Sequence, residues 1–425
     1  MANKQTVKSV KGTRDYYPEE MAIRTWLYDN MRSVSEEFGF QEYEGPILET
    51  LDLYASKSGE EIVEKQSYVF EDRSGEKITL RPELTPSLAR MVAKKQGQLT
   101  FPLRWWSFGP FWRYERPQKG RTREFFQWNI DMIGEDSAGA DAELVIIAAS
   151  FLKRVGLNAD EVQIKVNSRE LMDAETNKLG LDDEARAKAF QWIDRKDKLK
   201  EDAWLNYGKE LGFSEVQMQG IQDLINNKDL WKNSETLTEV FKIVEAYGMS
   251  DYISFDPSII RGLLYYTGTV FEAWDTAGDF RALFGGGRYD NLVGDVGGQK
   301  VGAVGFACGD LVIKLLLDKL GRLPEVGSTP ADVYITVFDQ DTFTESLGLA
   351  KEIRQAGIKV TSHLKIEKLG KQFKYADRIG ARYALVLGPD EIASGMVNLK
   401  NLQDGDQKQI SRESLISELK KFLEG

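Results

Sequence analysis

The sequence has almost none of the side chains on which soft-metal and thiol chemistry depend: one cysteine, Cys308, and one histidine, His363, in 425 residues. A single thiol excludes an intramolecular disulfide, and the pair is too few for a Cys/His zinc site or a Ser-His-Asp hydrolase. Chemistry must then rest on carboxylates, arginines and bound ions. Long hydrophobic runs are missing as well. Met1 to Asp15 carries scattered charges and no apolar core, and no later stretch approaches the roughly 20 apolar residues that span a bilayer. The chain therefore reads as soluble and cytoplasmic, with no membrane partner. An excess of positive charge is also lacking: 56 Lys and Arg face 67 Asp and Glu, a net charge of -11. Any nucleic-acid contact must be a local basic patch on an acidic body, which excludes a general DNA-coating role. Internal repeats and low-complexity tracts are absent. So is the phosphate loop G-x-x-x-x-G-K-[ST], and no G-x-G-x-x-G opens a dinucleotide unit, so kinase-type and Rossmann nucleotide sites lose ground.

What is present is enough apolar material, 42% of residues with 11% aromatic, for two or three cores. The clearest boundary is the Gly/Pro/Ser stretch Gly321 to Pro330, after an apolar helical pattern over Leu311 to Leu320. It separates a unit spanning 1–325 from one spanning 330–425. In the latter, Val333–Phe338, Ser346–Gln355, Lys359–Ser362, Gly370–Gly380 and Tyr383–Leu387 alternate as strand, helix, strand, helix, strand, which predicts a small α/β domain. Within the first unit, residues from about 170 to 250 are charged and helical in period, as expected of an inserted helical subdomain.

Trp105 to Asp131 predicts a long β-hairpin, two strand-like runs joined by a Pro/Gly loop. Strand alternation puts Phe125, Gln127, Asn129 and Asp131 on one face of the return strand, and Phe126, Trp128, Ile130 and Met132 on the other. On the outgoing run, Arg113 and Glu115 share a face. One side is apolar enough to bury, and the other offers a cation, carboxylates, an amide and an aromatic plate, the composition of a polar ligand site. The same alternation also fits an ordinary half-solvated hairpin. The tip gathers Arg116, Lys119, Arg121 and Arg123 around Gly120, suited to a phosphate backbone such as that of RNA, or to a solvated basic turn. Upstream, Leu80 to Arg90 reads as a strand end followed by a helix with Thr85 as N-cap and Pro86 in the first helical position. Glu83 then precedes a helix start, where a carboxylate favours the dipole or holds a ligand ammonium. Two glycine-punctuated stretches, Ile260–Glu272 and Phe284–Asp290 followed by Gly302–Gly309, permit unusual backbone angles or close approach of a ligand.

Together these residues resemble one family. Lys11-Gly-Thr-Arg-Asp15 with Pro18, Gly39 to Glu49, Arg81-Pro-Glu-Leu-Thr85, Phe111 to Phe125, Arg261-Gly-Leu-Leu-Tyr-Tyr266 and Gly285-Gly-Gly-Arg-Tyr-Asp290 are similar to the ordered motifs of histidyl-tRNA synthetases. Gly370 to Ala381 resembles the anticodon-binding domain of class IIa synthetases. The resemblance spans nearly the whole chain and implies an α+β fold: a class II antiparallel sheet flanked by helices, with a helical insertion and a C-terminal anticodon-binding α/β domain. It implies that histidine is joined to ATP as an adenylate and then passed to tRNA(His), with Mg²⁺ accompanying the nucleotide and no metal site assigned to protein ligands. By the same resemblance, Glu83, Thr85 and Gln127 hold the substrate ammonium, while Asp131 and Tyr266, with Tyr265 lining the pocket, bind the imidazole. Arg113 and Arg261 are the catalytic cations, Arg261 bridging the substrate carboxylate and α-phosphate. Arg113, Glu115 and Phe125 contact ATP, and Arg116, Lys119, Arg121 and Arg123 meet the tRNA acceptor end. A homodimer, with its interface near Pro46, is implied too.

Three positions depart from the family pattern: Val312 stands where an arginine reaches the ATP tail, Leu264 where an aspartate is common, and Asp131 where a glutamate is usual. Arg288 is a candidate to compensate for Val312. The departures leave a second reading from another class, a histidine-sensing regulatory subunit of ATP phosphoribosyltransferase, which resembles the catalytic domain but typically lacks the anticodon-binding domain and the basic tip.

Overall fold

The computed structural model describes residues 6–55, 65–196, 199–260, 265–280, 282–327 and 329–424. Arg261 and Leu264 therefore lie outside the described residues. The chain separates into two compact units, 1–325 and 326–425.

The first unit opens with α1 (Pro18–Glu37), β1 (Gln41–Glu42), β2 (Leu48–Thr50), α2 (Leu51–Ala55), β3 (Tyr68–Glu71), β4 (Lys77–Leu80) and α3 (Thr85–Lys95). The expected hairpin follows as β5 (Leu103–Trp112) and β6 (Glu124–Ile133), then α4 (Ala138–Arg154) and β7 (Val162–Ser168). Five helices come next: α5 (Arg169–Lys178), α6 (Asp183–Asp194), α7 (Glu201–Glu210), α8 (Glu215–Asn226) and α9 (Glu235–Tyr247). The unit closes with β8 (Ile253–Phe255), β9 (Thr269–Asp275), β10 (Phe284–Arg288), α10 (Leu292–Asp295), β11 (Ala303–Gly309) and α11 (Asp310–Lys319).

Eight strands form the main sheet in the order β1-β5-β6-β11-β10-β9-β7-β8, antiparallel except for the outer pairs β1–β5 and β7–β8. The hairpin register aligns Trp105 with Asp131 and Phe111 with Phe125. The predicted apolar face of β6 is buried: Trp128 and Ile130 are fully enclosed and Met132 nearly so. Against that side lies α4, whose run Ala142 to Leu152 is apolar nearly all round and almost wholly buried, as befits a helix with no solvent face. Each such large side chain contributes roughly 1.5–3 kcal/mol by leaving water. A separate three-stranded sheet, β2-β4-β3, carries the segment leading to Glu83.

The helical insertion has its own start signals. Asp182, Ser214 and Ser234 accept hydrogen bonds from backbone N–H groups in the first turns of α6, α8 and α9. Its centre is the stacked pair Trp192 and Trp204, 4.5 Å apart, each indole N–H donating to the other's backbone carbonyl.

The second unit comprises β12 (Val333–Ile335), α12 (Gln340–Gln355), β13 (Val360–Ser362), α13 (Leu369–Arg378), β14 (Tyr383–Val386), α14 (Pro389–Ser394), β15 (Met396–Asn401), β16 (Gln407–Ser411) and α15 (Leu415–Glu424). Its sheet runs β13-β12-β14-β15-β16. The first three strands are parallel, as strand–helix alternation demands. The last two add an antiparallel hairpin that sequence periodicity did not disclose. Helix α12 begins at Gln340 rather than near Ser346, because Asp339 accepts from the Thr342 N–H and caps it.

Candidate active site

The site begins as a gap in the sheet. One row across it reads Trp105, Asp131, Gly305, Gly287 and Val270, on five neighbouring strands. The two glycines sit side by side for want of room. A Cβ on Gly305 would lie 2.0 Å from Asp131 Oδ1, and one on Gly287 would lie 2.9 Å from the Tyr266 ring and 2.7 Å from the Thr269 carbonyl. The paired glycines thus open a hollow for one carboxylate and one phenol. Gln127, two side-chain rows further along the same face, pairs in register with Gly109 and Gly309.

Asp131 is 4% exposed, and Tyr289, buried at the end of β10, donates from Oη to Asp131 Oδ1 at 2.5 Å. Burial pushes the Asp131 carboxyl up to about 7, the Tyr289 hydrogen bond holding it back in part. Burial, reinforced by the Asp131 charge, raises the Tyr289 phenol well above its ordinary range. A second pair lies alongside, where Tyr265 Oη donates to Glu83 Oε2 at 3.2 Å. The Tyr265 ring stands 4.9 Å from Tyr266 and 6.0 Å from Tyr289, joining the two pairs. Glu83, Asp131, Tyr265 and Tyr266 are therefore brought together, with Gln127 on the same sheet face as Asp131.

The segment carrying Glu83 is fixed by Arg81, a fully buried guanidinium. It donates to Glu44 Oε1 at 2.5 Å, the Gly45 carbonyl at 3.0 Å and the Pro110 carbonyl at 2.9 Å, and lies over Phe111. Tyr54 Oη donates to the Glu83 carbonyl at 3.3 Å. The expected N-cap at Thr85 is corrected: Thr85 is the first residue of α3, Leu84 caps it without a side-chain bond, and Thr85 is half-buried with its hydroxyl unused in capping. Pro86, within the first turn, costs no hydrogen bond there.

The expected shared face of Arg113 and Glu115 is also corrected. Strand β5 stops at Trp112, and a tight turn, closed by the Glu115 N–H on the Arg113 carbonyl at 2.7 Å, breaks the alternation. Arg113 Nε donates to the Pro82 carbonyl at 2.9 Å, and its guanidinium stands 5.3 Å from the centre of the Phe125 ring, which stacks on Phe111. Glu115 instead turns to the tip, pairing with Arg121 at 2.8 Å while its carbonyl accepts from Arg123 Nε at 3.1 Å. Arg123 also covers Tyr114. Arg116 and Lys119 remain exposed at the tip, where Lys119 and Gly120 form the turn between Gln118 and Arg121.

Val312 packs below that turn: a Cβ on Gly120 would touch its Cγ2 at 3.5 Å. Arg288 does not compensate for it. Its guanidinium is committed to Asp141 at 2.6 and 2.9 Å, to the Glu135 and Ser137 carbonyls and to Asp290, with the side chain 8% exposed. Tyr289 and Arg81 lie within the sequence motifs, yet nothing in their local sequence places either one at the pocket. The one hint for Tyr289 is its place directly after the glycine run.

An antiparallel sheet carrying a carboxylate-and-tyrosine pocket beside an arginine-bearing hairpin, followed by a parallel-then-antiparallel α/β unit, is the architecture of a class II aminoacyl-tRNA synthetase with its anticodon-binding domain. The family model described as "Histidyl-tRNA synthetase" matches residues 12–310, and "Anticodon binding domain" matches residues 332–422. The histidine–tRNA ligase of Arabidopsis thaliana chloroplasts and mitochondria is 38% identical, over 96% of this chain and 86% of that one. The histidine–tRNA ligase of Haloarcula marismortui is 37% identical over 95% of both. Among solved structures, the histidyl-tRNA synthetase of Nostoc sp. PCC 7120 superposes with a TM-score of 0.83 at 27% identity, covering 99% of this chain and all of that one. The chain belongs to the histidyl-tRNA synthetase family.

Proposed function

We propose that the protein is a histidine–tRNA ligase, which activates histidine with ATP and transfers it to the 3′ end of tRNA(His). The convergence of Asp131–Tyr289 and Tyr265–Glu83 in a hollow cut by Gly305 and Gly287 carries this reading. The hollow offers a carboxylate and phenols to an imidazole, and a second carboxylate, Glu83, with Thr85 and Gln127, to an α-ammonium. An apolar side chain of similar size would leave these buried groups unpaired, a discrimination of roughly 10⁴ or more.

The histidine carboxylate, already an anion, attacks the α-phosphorus, and pyrophosphate leaves. Arg113, anchored through Pro82 and lying over Phe125, is poised for the α-phosphate while Phe125 offers a ring to adenine. Glu115 keeps its proposed contact with the nucleotide on the strength of its motif, and also holds Arg121 and Arg123 at the tip. Arg261 keeps its proposed bridging role on the strength of its motif alone. Mg²⁺ enters with the ATP phosphates as part of the substrate and neutralises the departing charge. Catalysis is then alignment and preorganised charge. In the second step a terminal ribose hydroxyl of tRNA attacks the adenylate carbonyl and AMP leaves, with Arg116, Lys119, Arg121 and Arg123 facing the acceptor end. We read the unit 1–325 as catalytic, 330–425 as anticodon-binding, and the enzyme as a cytoplasmic homodimer. Among the described residues no helix is long and apolar enough to cross a membrane.

The regulatory-subunit reading is disfavoured by the anticodon-binding match over residues 332–422 and by the basic tip. Exchange of labelled pyrophosphate into ATP tests the proposal: histidine alone among the amino acids should support it, and binding of histidine without exchange would overturn it.

A further inference from the structure

Asn167 extends the row of the hollow by one more strand, as the register partner of Val270 on the side away from Gly287. Its side chain is wholly buried. Nδ2 donates to the carbonyls of Pro257 and Ile259, each at 3.1 Å, and Oδ1 accepts from the Ser168 N–H at 2.8 Å. Both amide hydrogens are spent, so no donor is left for a ligand. The amide instead ties down a segment of chain. Asp256 begins that segment with its N–H on the Val166 carbonyl at 3.0 Å, and its carboxylate accepts from Ser258 and pairs with Lys165 of β7 and Lys228 of the helical insertion. Ile259, 5% exposed, belongs to the same buried apolar cluster as Tyr266, Val270 and Tyr289. The chain returns to β7 soon after Tyr266, where the Arg169 N–H donates to the Gly268 carbonyl at 2.9 Å and Ser168 pairs with Thr269. One strand end therefore grips both the chain that leads toward the pocket tyrosines and the chain that leaves them. Ligand-binding side chains keep their geometry to within about 0.5 Å only where supporting hydrogen bonds lock them in this way.

We propose that Asn167 is a positioning residue for the amino-acid pocket: by pinning the Pro257 and Ile259 carbonyls to the end of β7, it sets Tyr265 against Glu83 and Tyr266 against Gly287. It acts through those side chains and does not touch the substrate. The inference rests on the histidine reading of the pocket and adds a support behind it. A displacement of about 1 Å at a recognition group costs on the order of 10²-fold. The proposed ATP groups Arg113 and Phe125 stand on the hairpin instead, so the nucleotide does not depend on this tie.

The test is Asn167→Ala in the full chain, read as equilibrium affinity for histidine and, separately, for ATP, well below the melting temperature of every variant. Histidine should weaken about 10- to 100-fold while ATP is unchanged. The variant will also melt lower, since two buried carbonyls lose their donor, so stability needs its own control. Trp192→Phe loses an indole hydrogen bond within the helical insertion and should lower the melting temperature with both affinities intact. Ile259→Val, which removes one methylene from the tied segment, should weaken histidine by less and again spare ATP; it carries the test if Asn167→Ala does not fold. Unchanged histidine affinity, equal losses for both ligands, or the same histidine loss in Trp192→Phe would overturn the assignment. If wild type binds histidine but exchanges no pyrophosphate, the functional reading fails, and the positioning role is still decided by the affinities.

Discussion

At the scale of single residues, Asp131 dominates. Its carboxyl is raised from 3.8 to about 7, chiefly by burial. A raised acid adds stability in full below its unfolded value and loses it as pH climbs through the folded value, because the unfolded chain ionises first. Relative to Asp131→Asn, the wild type should lose up to ~1.4 kcal/mol per pH unit between about pH 4 and 7, and the difference should level off above that. Urea denaturation of both proteins over pH 4–8 measures it; parallel curves would contradict the burial described. Activity should run the opposite way. If the ionised carboxylate accepts an imidazole N–H, kcat/KM for histidine rises through about pH 7, and Asp131→Asn loses that limb with a roughly 10- to 100-fold lower plateau. Alternation along β6 made Asp131 legible as a pocket residue, since period two assigns faces without knowledge of neighbours. Tyr289 was not legible in that way. It reaches Asp131 from a strand end far away in sequence, and only the sheet order sets it there.

At the scale of elements, the hairpin was predicted well because ten-residue strands with one apolar face repeat the signal many times. Short strands such as β1 to β4 repeat it too few times to be read, and the turn after Trp112 defeats it. The glycine run in β10 was visible, but its purpose was not, since that depends on β9 and β11. Gly287→Ala should cost about 1–3 kcal/mol through its clash with the Thr269 carbonyl, and also weaken histidine by crowding Tyr266. Thermal melting and pyrophosphate exchange together check both effects. The end of β10 is held by Arg288 and Asp141, whose side chains are 8% and 1% exposed. Removing one partner strands the other's charge, so Asp141→Ala should cost about 3–5 kcal/mol, seen as a lower denaturation midpoint. Arg288→Lys should not restore stability, since an ammonium cannot reproduce the forked contacts to Asp141 and two carbonyls.

At the scale of the whole molecule, an acidic chain of net charge -11 must bring a polyanion to a small basic region. Of the four tip cations, Arg121 and Arg123 are braced by Glu115, whereas Arg116 and Lys119 are exposed. Replacing both exposed residues with alanine should weaken tRNA binding and make its logarithmic salt dependence shallower by about 1.4, as expected for two lost contacts with single-stranded phosphates. An unchanged slope would place the acceptor end elsewhere. The two-unit organisation was legible from the Gly/Pro stretch after α11, because such a composition has neither period.

A histidine sensor and a histidine ligase can share the pocket described above, so the decisive measurement is transfer itself. The full chain would be incubated with ATP, Mg²⁺, labelled histidine and tRNA(His), and labelled tRNA collected by acid precipitation. The account predicts ATP-dependent charging with histidine that Asp131→Asn slows by one to two orders of magnitude, in line with the loss of a buried charged partner. Saturable histidine binding with no label reaching tRNA would contradict it.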